Sequence, residues 1–470
     1  MARTHALSRE LSALARLAAP MSAATAGQAL MGVVDTAVCG RAGAETLAGA
    51  ALGNVVFFSV AIVGMGVVLG LEPLVSQAIG AGDGARARRW LWQGAWLALG
   101  LGAVLAIPLA LVPPFLVPLG IPPGVAQQAG PYVWLRLPGL PAFLFYFAIR
   151  AYVQGHGRVR AVVGAVALAN VVNLALDLVL VFGGAHLPAW TGPLRAVPAL
   201  GAPGSALATS IAVWLQAAVL AAAAARLGHA GPHVSRRPDR ADLSRALRVG
   251  APVGLHMGAE VGIFALVGFL SGRLGTVQVA AHQIALTCAS FTFCVVVGIG
   301  EAGGVRVGWA VGARDQVAAR RSGLTAIAAG AAIMSLSGLA FLLFPREIAR
   351  LVTDDPEVLP LAAPLLSVAA VFQLSDGVQG VSSGVLRGAA DTRYTFAANM
   401  VGHWLVGFPV ALALGFGAGL GVVGLWWGLC AGLSAVAIAL LVRFVQISAR
   451  GIQPMEDLAG DEAARARAGG

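Results

Sequence analysis

The sequence predicts an all-α integral membrane protein with twelve transmembrane helices, which form two parallel six-helix repeats, an N-lobe and a C-lobe, around a central cleft. Of the 470 residues, 58% are hydrophobic and 11% are charged, whereas an average soluble domain is about 25% charged. Segments 90–135 and 394–442 contain no charged residue, and each is long enough for two crossings of about 20 residues. An internal duplication of the sequence predicts the two repeats. These observations exclude an ordinary cytosolic enzyme, a disordered protein and a disulfide scaffold.

Apolar runs bounded by Arg, Pro and Gly define the individual helices. They are predicted at residues 14–40, 47–79, 90–112, 128–152, 161–183, 199–225, 245–271, 279–311, 323–344, 360–387, 395–415 and 420–443. The first run is too long for the core of a signal peptide, so we predict that it is retained as a helix. The second and eighth helices would extend roughly 50 Å against a hydrocarbon core of about 30 Å. They must therefore tilt or project into the cytoplasmic interface.

The basic residues indicate topology rather than nucleic-acid binding. The net charge is +10 and all 31 basic residues are Arg, but they lie in short clusters between apolar segments instead of on one continuous face. The N-terminus, the even-numbered loops and the C-terminal tail, together with the helix ends that adjoin them, hold 24 of them, the odd-numbered loops hold five, and Arg136 and Arg306 lie further inside helices. By the positive-inside rule, both termini are predicted to be cytoplasmic. The cysteines, Cys39, Cys288, Cys294 and Cys430, are interpreted as small hydrophobic residues.

The internal duplication emerges when the sequence is aligned with itself so that Ala19-Pro20 falls on Ala251-Pro252. The same register superposes Gly80-Ala81 on Gly312-Ala313, Asp83 on Asp315, and Arg88-Arg89 on Arg320-Arg321. Each repeat has six helices, an even number, so both halves enter the membrane in the same direction, which is a transporter architecture with substrate bound between the halves. We predict an N-lobe over residues 1–225, a cytoplasmic linker over 226–244, a C-lobe over 245–446 and a polar cytoplasmic tail over 447–470.

Six carboxylates fall inside predicted helices, and each costs about 2.5–3.5 kcal/mol to insert, so a functional role is the default hypothesis. Asp35 and Asp177 share a depth near the outer ends of the first and fifth helices. Asn173 lies one turn from Asp177, and Thr209 on the sixth helix reaches the same level. These oxygens could hold a proton or coordinate a hard cation such as sodium. The alternative is a buried polar network that only locks the three helices together.

The other four acids divide into two pairs. Glu260 and Asp376 lie near the middle of the seventh and tenth helices, and the repeat gives neither an acidic counterpart, which suggests different ionic roles for the two lobes. Glu72 and Glu301 lie on the long second and eighth helices and are interpreted as interfacial carboxylates with Arg or water partners, Arg306 being close enough to pair with Glu301. The histidines His282 and His403 are interpreted as packing or hydrogen-bonding residues.

Several strings resemble a known family in their order along both halves. They are Met-Gly-Val-Val-Asp-Thr at 31–36, Pro-Leu-Val-Ser-Gln-Ala at 73–78, Ala-Ala-His-Gln-Ile-Ala at 280–285, and Leu-Arg-Gly at 386–388 followed by Asp391-Thr392-Arg393. With these motifs, nearly the whole chain resembles the multidrug and toxic compound extrusion (MATE) transporters, in particular their bacterial NorM-like branch. The resemblance implies two six-helix bundles that form a V-shaped central cleft.

The resemblance also implies a site in each lobe. The first-lobe proton or cation site would be Asp35, Asn173, Asp177 and Thr209, and the second-lobe coupling acids would be Glu260 and Asp376, with Na⁺ as a possible ion at either. Further site candidates are Gln283, Glu301 and Phe372. Phe372 stands where sodium sites of this branch use Tyr, which weakens the case for sodium in the second lobe. Glu301 stands where a small or uncharged residue is more usual.

We therefore expect a secondary active multidrug efflux antiporter that exports organic, cationic amphipathic compounds in exchange for H⁺ or Na⁺. We expect a multi-pass monomer of the bacterial inner membrane, whose partners are small molecules and the lipid bilayer, with no nucleic acid and no cofactor beyond the coupling ion. One alternative is a lipid-linked precursor flippase of the same superfamily, which should have a strongly basic cleft. Another is a membrane-embedded enzyme, although the sequence has no His-Glu-x-x-His motif, and its Gly-x-Ser-x-Gly string at 380–384 lies inside a predicted helix instead of between a strand and a helix.

Overall fold

The computed structural model describes residues 2–185, 188–227 and 234–457, with side chains from residue 8 onward. Parts of the predicted linker, 228–233, and of the predicted tail, 458–470, lie outside the described residues. Within the described ranges the regular structure is helical throughout. Eleven helices there are long and apolar enough to cross a membrane, and a bent pair of shorter helices makes a twelfth. The prediction of an all-α protein with twelve membrane helices is confirmed.

The α-helices carry the numbers α1 to α16 in chain order. They are α1 (Ala2–Ala42), α2 (Ala44–Leu69), α3 (Leu71–Gly80), α4 (Gly84–Leu111), α5 (Pro123–Arg136), α6 (Gly139–Gly155), α7 (Val159–Leu180), α8 (Ala202–Ala225), α9 (Arg240–Arg273), α10 (Thr276–Gly312), α11 (Gln316–Leu343), α12 (Pro345–Arg350), α13 (Leu359–Gly388), α14 (Thr392–Asn399), α15 (Phe408–Leu412) and α16 (Gly421–Arg450). Two 3₁₀ segments, Pro113–Phe115 and Ala189–Ala196, and two π-helical segments, Met400–Gly407 and Ala413–Gly417, complete the described regular structure.

Three of the predicted helices are interrupted in the structure. The predicted second helix divides into α2 and α3 at Gly70. The predicted fourth helix divides into α5 and α6, which are bent by 48°, because Pro138 lacks the N–H that would continue the helix and its ring crowds the preceding turn. The predicted eleventh helix runs from α14 through π-helical turns to Gly417, with Pro409 at the start of α15.

The helices gather into two compact units. One, here called the N-unit, comprises Ala24–Leu71 and Gly84–Gly254; the other, the C-unit, comprises Met1–Ala23, Glu72–Asp83 and Leu255–Gly470. The N-terminal part of α1 and all of α3 except its first residue therefore pack in the C-unit. The beginning of α9, up to Gly254, packs in the N-unit.

The N-unit is built around α6, most of whose side chains are buried. Leu140, Leu144 and Ile149 are each at most 1% exposed and pack into the interior of this unit. The N-unit also contains a close pair of glycines, because a Cβ added at Gly66 would lie 2.8 Å from the backbone nitrogen of Gly254 on α9. Small residues therefore bring α2 and α9 together, as is common where helices meet in a membrane.

The C-unit brings α10 and α13 together along a stripe of glycines. Gly300 and Gly304 on α10 face Gly380 and Gly384 on α13, and a Cβ added at Gly304 would lie 2.6 Å from the carbonyl oxygen of Gly384. Since lipid offers helices no hydrophobic reason to associate, small residues that let backbones approach are a main source of helix packing in membranes. This contact sets the relative positions of the acidic residues on α10 and α13.

A second glycine contact in the C-unit joins α3 to the end of α10. A Cβ added at Gly80 would clash with the backbone of Trp309, and a Cβ added at Gly312 would clash with the backbone of Gln77. The repeat superposes Gln77 on Trp309 and Gly80 on Gly312, so the two halves of the sequence contribute equivalent residues to this crossing. The shared glycines predicted from the repeat therefore have a packing function.

We expect Gly312→Ala to destabilise the protein by about 1–3 kcal/mol, because the new methyl group meets a backbone that cannot rotate away. Gly100→Ala is the matched control: Gly100 is also inside a helix, and a Cβ there meets nothing within 4 Å. Melting temperatures of the purified variants in detergent measure both effects. An unchanged melting temperature for Gly312→Ala would show that α3 and α10 can separate at little cost.

Candidate functional site

The first group of polar residues in the membrane-spanning region lies in the N-unit, where α1, α7 and α8 meet. The buried residues of α7 include Val166, Ala169, Asn173 and Asp177, a spacing of three to four that places them on one face. Asn173 and Asp177 are both 0% exposed. The apolar residues of this face pack the helix into the unit, and that packing carries the carboxyl and the amide into the interior.

Thr209 on α8 connects the residues of this group. Its Oγ1 lies 2.9 Å from Asp35 Oδ2 and 2.8 Å from the carbonyl oxygen of Ser205, so its single hydrogen can be donated to either acceptor. The Asn173 amide nitrogen lies 3.5 Å from the same Oγ1. The carboxyl groups of Asp35 and Asp177 are close enough to interact. The structure thus brings together all four residues predicted for this site.

This group contains more hydrogen-bond acceptors than donors. Asp35 Oδ1, Asn173 Oδ1 and both carboxyl oxygens of Asp177 are buried and meet no hydrogen-bond donor among the described residues. Leaving a buried polar atom unsatisfied costs about 1–3 kcal/mol, and more when the group is charged. A proton shared by the two carboxyl groups, or a cation held among these oxygens, would remove that cost.

Arg136 on α5 is a charged neighbour that was not predicted for this site. It is 8% exposed, and its guanidinium carbon lies 4.3 Å from the centre of the Phe57 ring, a cation–π contact. It is near enough to Asp35 for the two charges to interact. A buried arginine near Asp35 compensates part of the negative charge of this group.

The second group lies in the C-unit, around Glu260 on α9. The His256 Nε2 atom lies 3.2 Å from Glu260 Oε2, one helical turn away, and Gln379 Nε2 on α13 donates to Glu260 Oε1 at 3.3 Å. Asp376, 6% exposed on the same helix as Gln379, is close enough for its charge to interact with that of Glu260. The structure thus brings the two predicted coupling acids into one neighbourhood, and both Glu260 oxygens have partners.

This group extends to α14 and the π-helical segment after it. Gln379 also lies 3.4 Å from Asn399 Oδ1. One turn further on, His403 is 2% exposed, and neither of its ring nitrogens has a hydrogen-bond partner among the described residues. His256, Gln379 and Asn399 were not predicted from the sequence. Of these, His256 could have been found, because its spacing of four residues from Glu260 places both on one helix face.

Phe372 lies one turn before Asp376 and belongs to an aromatic cluster. Its ring centre is 6.0 Å from that of Phe264 and 5.5 Å from that of Trp426. The indole nitrogen of Trp426 donates to His282 Nδ1 at 3.1 Å, so His282 serves in packing and hydrogen bonding. The side chain of Phe372 therefore adds an apolar wall beside Asp376 and no oxygen.

The remaining acidic and polar candidates lie elsewhere on the helices. Gln283 is exposed on α10, and Glu301 is 5% exposed on the same helix. Glu72 forms a buried ion pair with Arg387 at 2.7 Å. Arg306, which the sequence associated with Glu301, binds Glu10 through its Nε and Nη2 atoms at 2.9 and 2.6 Å. That partner was missed because the first helix was predicted to begin at residue 14, whereas α1 already includes Glu10.

A protein-family model described as MatE matches this chain twice, over residues 20–179 and 252–413. The two matches begin at positions that the sequence repeat superposes, Pro20 and Pro252. The matched regions contain Asp35, Asn173, Asp177, Glu260 and Asp376. They exclude Thr209, which lies between them.

Whole-chain relatives give the same picture. The multidrug resistance protein NorM of Burkholderia vietnamiensis is 40% identical over 449 residues, covering 93% of this chain and 94% of the relative. A probable multidrug resistance protein NorM of Deinococcus radiodurans is 37% identical over 452 residues, covering 94% and 97%. The crystal structure of the eukaryotic MATE transporter AtDTX14 superposes with a TM-score of 0.82 at 22% identity, covering 93% of this chain and 96% of that one. That structure is similar in fold.

Proposed function

The chain belongs to the MatE family and is a multidrug efflux transporter of the NorM type, and from that premise we propose that it exports organic cations of amphipathic character in exchange for H⁺ or Na⁺. Its substrates are small molecules, it spans the lipid bilayer several times, and it is a transporter rather than an enzyme. The observation that carries the proposal of exchange is the surplus of buried acceptor oxygens around Asp35 and Asp177.

The exchange follows from charge in a low-dielectric site. Buried carboxylates attract a cation strongly, and either a cationic substrate or a coupling ion can supply it. When the coupling ion neutralises the acids, their attraction for the substrate falls and the substrate is released. Each ion changes the ratio of the inward-open to the outward-open state only to the extent that its affinities for the two states differ. No covalent step is needed.

For the C-unit group we favour H⁺ over Na⁺. Sodium takes oxygen ligands, as other hard cations do, and Phe372 offers none. Both oxygens of Glu260 already face nitrogen atoms, His256 Nε2 and Gln379 Nε2. The amide nitrogen of Gln379 is only a donor, so a metal cation beside it would be repelled. A proton bound by Glu260 or Asp376 needs no further oxygen.

We propose that both termini are cytoplasmic, that the protein is a monomer and that it resides in the bacterial inner membrane. The arginine count supports the orientation, with 24 residues on one predicted side against five on the other. We retain lobes over residues 1–225 and 245–446 as the functional halves, joined by the linker at 226–244 and followed by the tail at 447–470.

Everted membrane vesicles test the proposal through ion-gradient-driven efflux of a cationic dye. We expect the double variant Asp35→Asn/Glu260→Gln to lose coupling, because each lobe loses an acid that would bind the ion. Glu347→Gln, which neutralises an exposed acid on α12, is the control and should transport normally. Wild-type coupling in the double variant, at equal expression, would refute the assignment of both acids.

Purified protein identifies the ion. We expect addition of substrate to release protons from the protein with or without sodium present. Sodium-driven efflux at zero pH gradient, combined with no substrate-induced proton release, would contradict the preference for protons.

A further inference from the structure

A polar junction in the C-unit anchors the beginning of α1. Glu10 is only 5% exposed, and the hydroxyl of Ser322 on α11 donates to its Oε1 at 2.7 Å. Arg306 on α10 donates to the same oxygen through two nitrogens. Arg321 lies 3.4 Å from the other carboxyl oxygen, and its own side chain is 47% exposed. One carboxylate thus serves two guanidinium groups.

The junction forms the floor of an open pocket. Its volume is 380 Å³, and its lining consists of Arg9, Glu10, Ala13, Arg306 and Arg321. Small-molecule sites have volumes of about 300–1,000 Å³, so the pocket can admit a ligand headgroup. The lining holds three guanidinium groups and one carboxylate. Glu10 uses two of the five N–H donors of Arg306 and one nitrogen of Arg321, so donors remain on both.

The duplicated sequence supplies an internal comparison for this junction. In the register of the repeat, Glu10 corresponds to Asp242 and Arg321 to Arg89. In the N-unit, Arg89 pairs with Asp242 through its Nε, and its Nη2 lies 3.1 Å from Asp239. Asp239 also accepts from the backbone N–H groups of Ala241 and Asp242. The backbone bond from Asp242 is the main reason that the pKa of Asp239 is held below its usual value. Here one guanidinium therefore faces two carboxylates.

The two junctions differ in the charge placed around the same helix contact. The positions that correspond to Arg9 and Arg306 are Ala241 and Leu74, and neither is charged. Ala13, in contrast, corresponds to Arg245, so the N-unit has two arginines, Arg89 and Arg245, and two acids, Asp239 and Asp242, where the C-unit has three arginines and one acid. Packing α1 against α11 does not require the additional arginines of the C-unit. A pocket lined by more guanidinium than carboxylate groups suits an anionic ligand.

We propose that this pocket binds the phosphate group of an anionic phospholipid. Guanidinium groups present paired N–H donors that match phosphate oxygens. Arg9 and Arg321 lie at the polar ends of helices that continue into apolar membrane spans, which is the depth of the lipid headgroups. Basic pockets between membrane helices on the cytoplasmic side are a known mode of headgroup binding. The proposal is independent of the coupling ion and of the transported substrate.

The test is lipid titration of the purified full chain in detergent, followed by native mass spectrometry, with phosphatidylglycerol and phosphatidylcholine as probes. Arg321→Gln and Arg9→Gln should each raise the apparent Kd for phosphatidylglycerol about fivefold. The matched controls are Arg320→Gln and Arg16→Gln, which remove the same charge from the same two helices but from side chains that do not line the pocket. Wild type and both controls should bind phosphatidylglycerol more tightly than phosphatidylcholine.

Three outcomes would overturn the proposal. The first is that the control variants weaken binding as much as the pocket variants do. The second is that phosphatidylcholine binds as tightly as phosphatidylglycerol. The third is that millimolar inorganic phosphate binds to wild type and not to Arg9→Gln while phosphatidylglycerol binds equally to both, which would assign the pocket to a free anion. Arg9→Gln keeps the hydrogen bonds that Ser322 and Arg306 donate to Glu10, so it preserves the test if Arg321→Gln fails to fold.

Discussion

Replacing Glu72 with glutamine is expected to destabilise the protein by about 3–5 kcal/mol, the cost of breaking a buried ion pair on one side only. Glu72 Oε2 lies 2.7 Å from Arg387 Nε, and the two side chains are 9% and 12% exposed. The variant therefore leaves the guanidinium group of Arg387 buried without its counter-charge. A lower melting temperature of the purified protein in detergent measures the effect.

The control and a second variant define what the pair contributes. Glu347→Gln neutralises an exposed acid in the same unit and should change stability by no more than about 0.5 kcal/mol. The double variant Glu72→Gln/Arg387→Gln removes both charges and should recover part of the loss, since an uncharged pair carries a smaller desolvation penalty. A wild-type melting temperature for Glu72→Gln would mean that Arg387 finds another acceptor, and the pair would then have no structural role.

The helices were predictable because each depends on a local property of the chain. A membrane span needs about 20 consecutive apolar residues, and a window of the sequence contains all of that information. The break at Gly70 was also indicated by the sequence, because Pro73 lacks an N–H and its ring crowds the carbonyl group of Leu69, but the prediction from apolar runs gave one continuous helix. The bend at Pro138 was indicated by the proline itself, but hydropathy alone predicts one continuous helix there.

Partners were less predictable than the acids that need them. The cost of a carboxylate in hydrocarbon is local, so Asp35, Asp177, Glu260 and Asp376 could be selected from the sequence. The arginine that pairs with Glu72 is 315 residues away, and no window of the chain connects them. The repeat likewise predicts that the lobes are equivalent, but not that the beginning of α1, up to Ala23, packs in the C-unit. That packing is what brings the first helix to Arg306.

Asp177→Asn is expected to reduce ion-coupled efflux to the rate of vesicles that lack the protein. Both carboxyl oxygens of Asp177 lack a donor among the described residues, and its neighbour Asp35 is another acceptor. An asparagine amide supplies N–H donors and removes one negative charge, so it imitates a permanently protonated carboxyl. A site that cannot release its proton cannot exchange it for a cationic substrate.

Stability distinguishes this interpretation from a polar network that only locks helices α1, α7 and α8 together. If the acids bind the coupling ion, the repulsion between their two carboxylates destabilises the fold. Asp177→Asn removes that repulsion and should melt at the wild-type temperature or above it. If they serve the fold, the variant should melt lower and still transport. Asn170→Ala is the matched control, because it removes an amide that donates to the carbonyl oxygen of Gly27 on α1 at 3.0 Å and leaves all four residues of the site in place. It should lose about 1 kcal/mol of stability while retaining coupled efflux. Normal coupled efflux by Asp177→Asn would exclude Asp177 from the exchange.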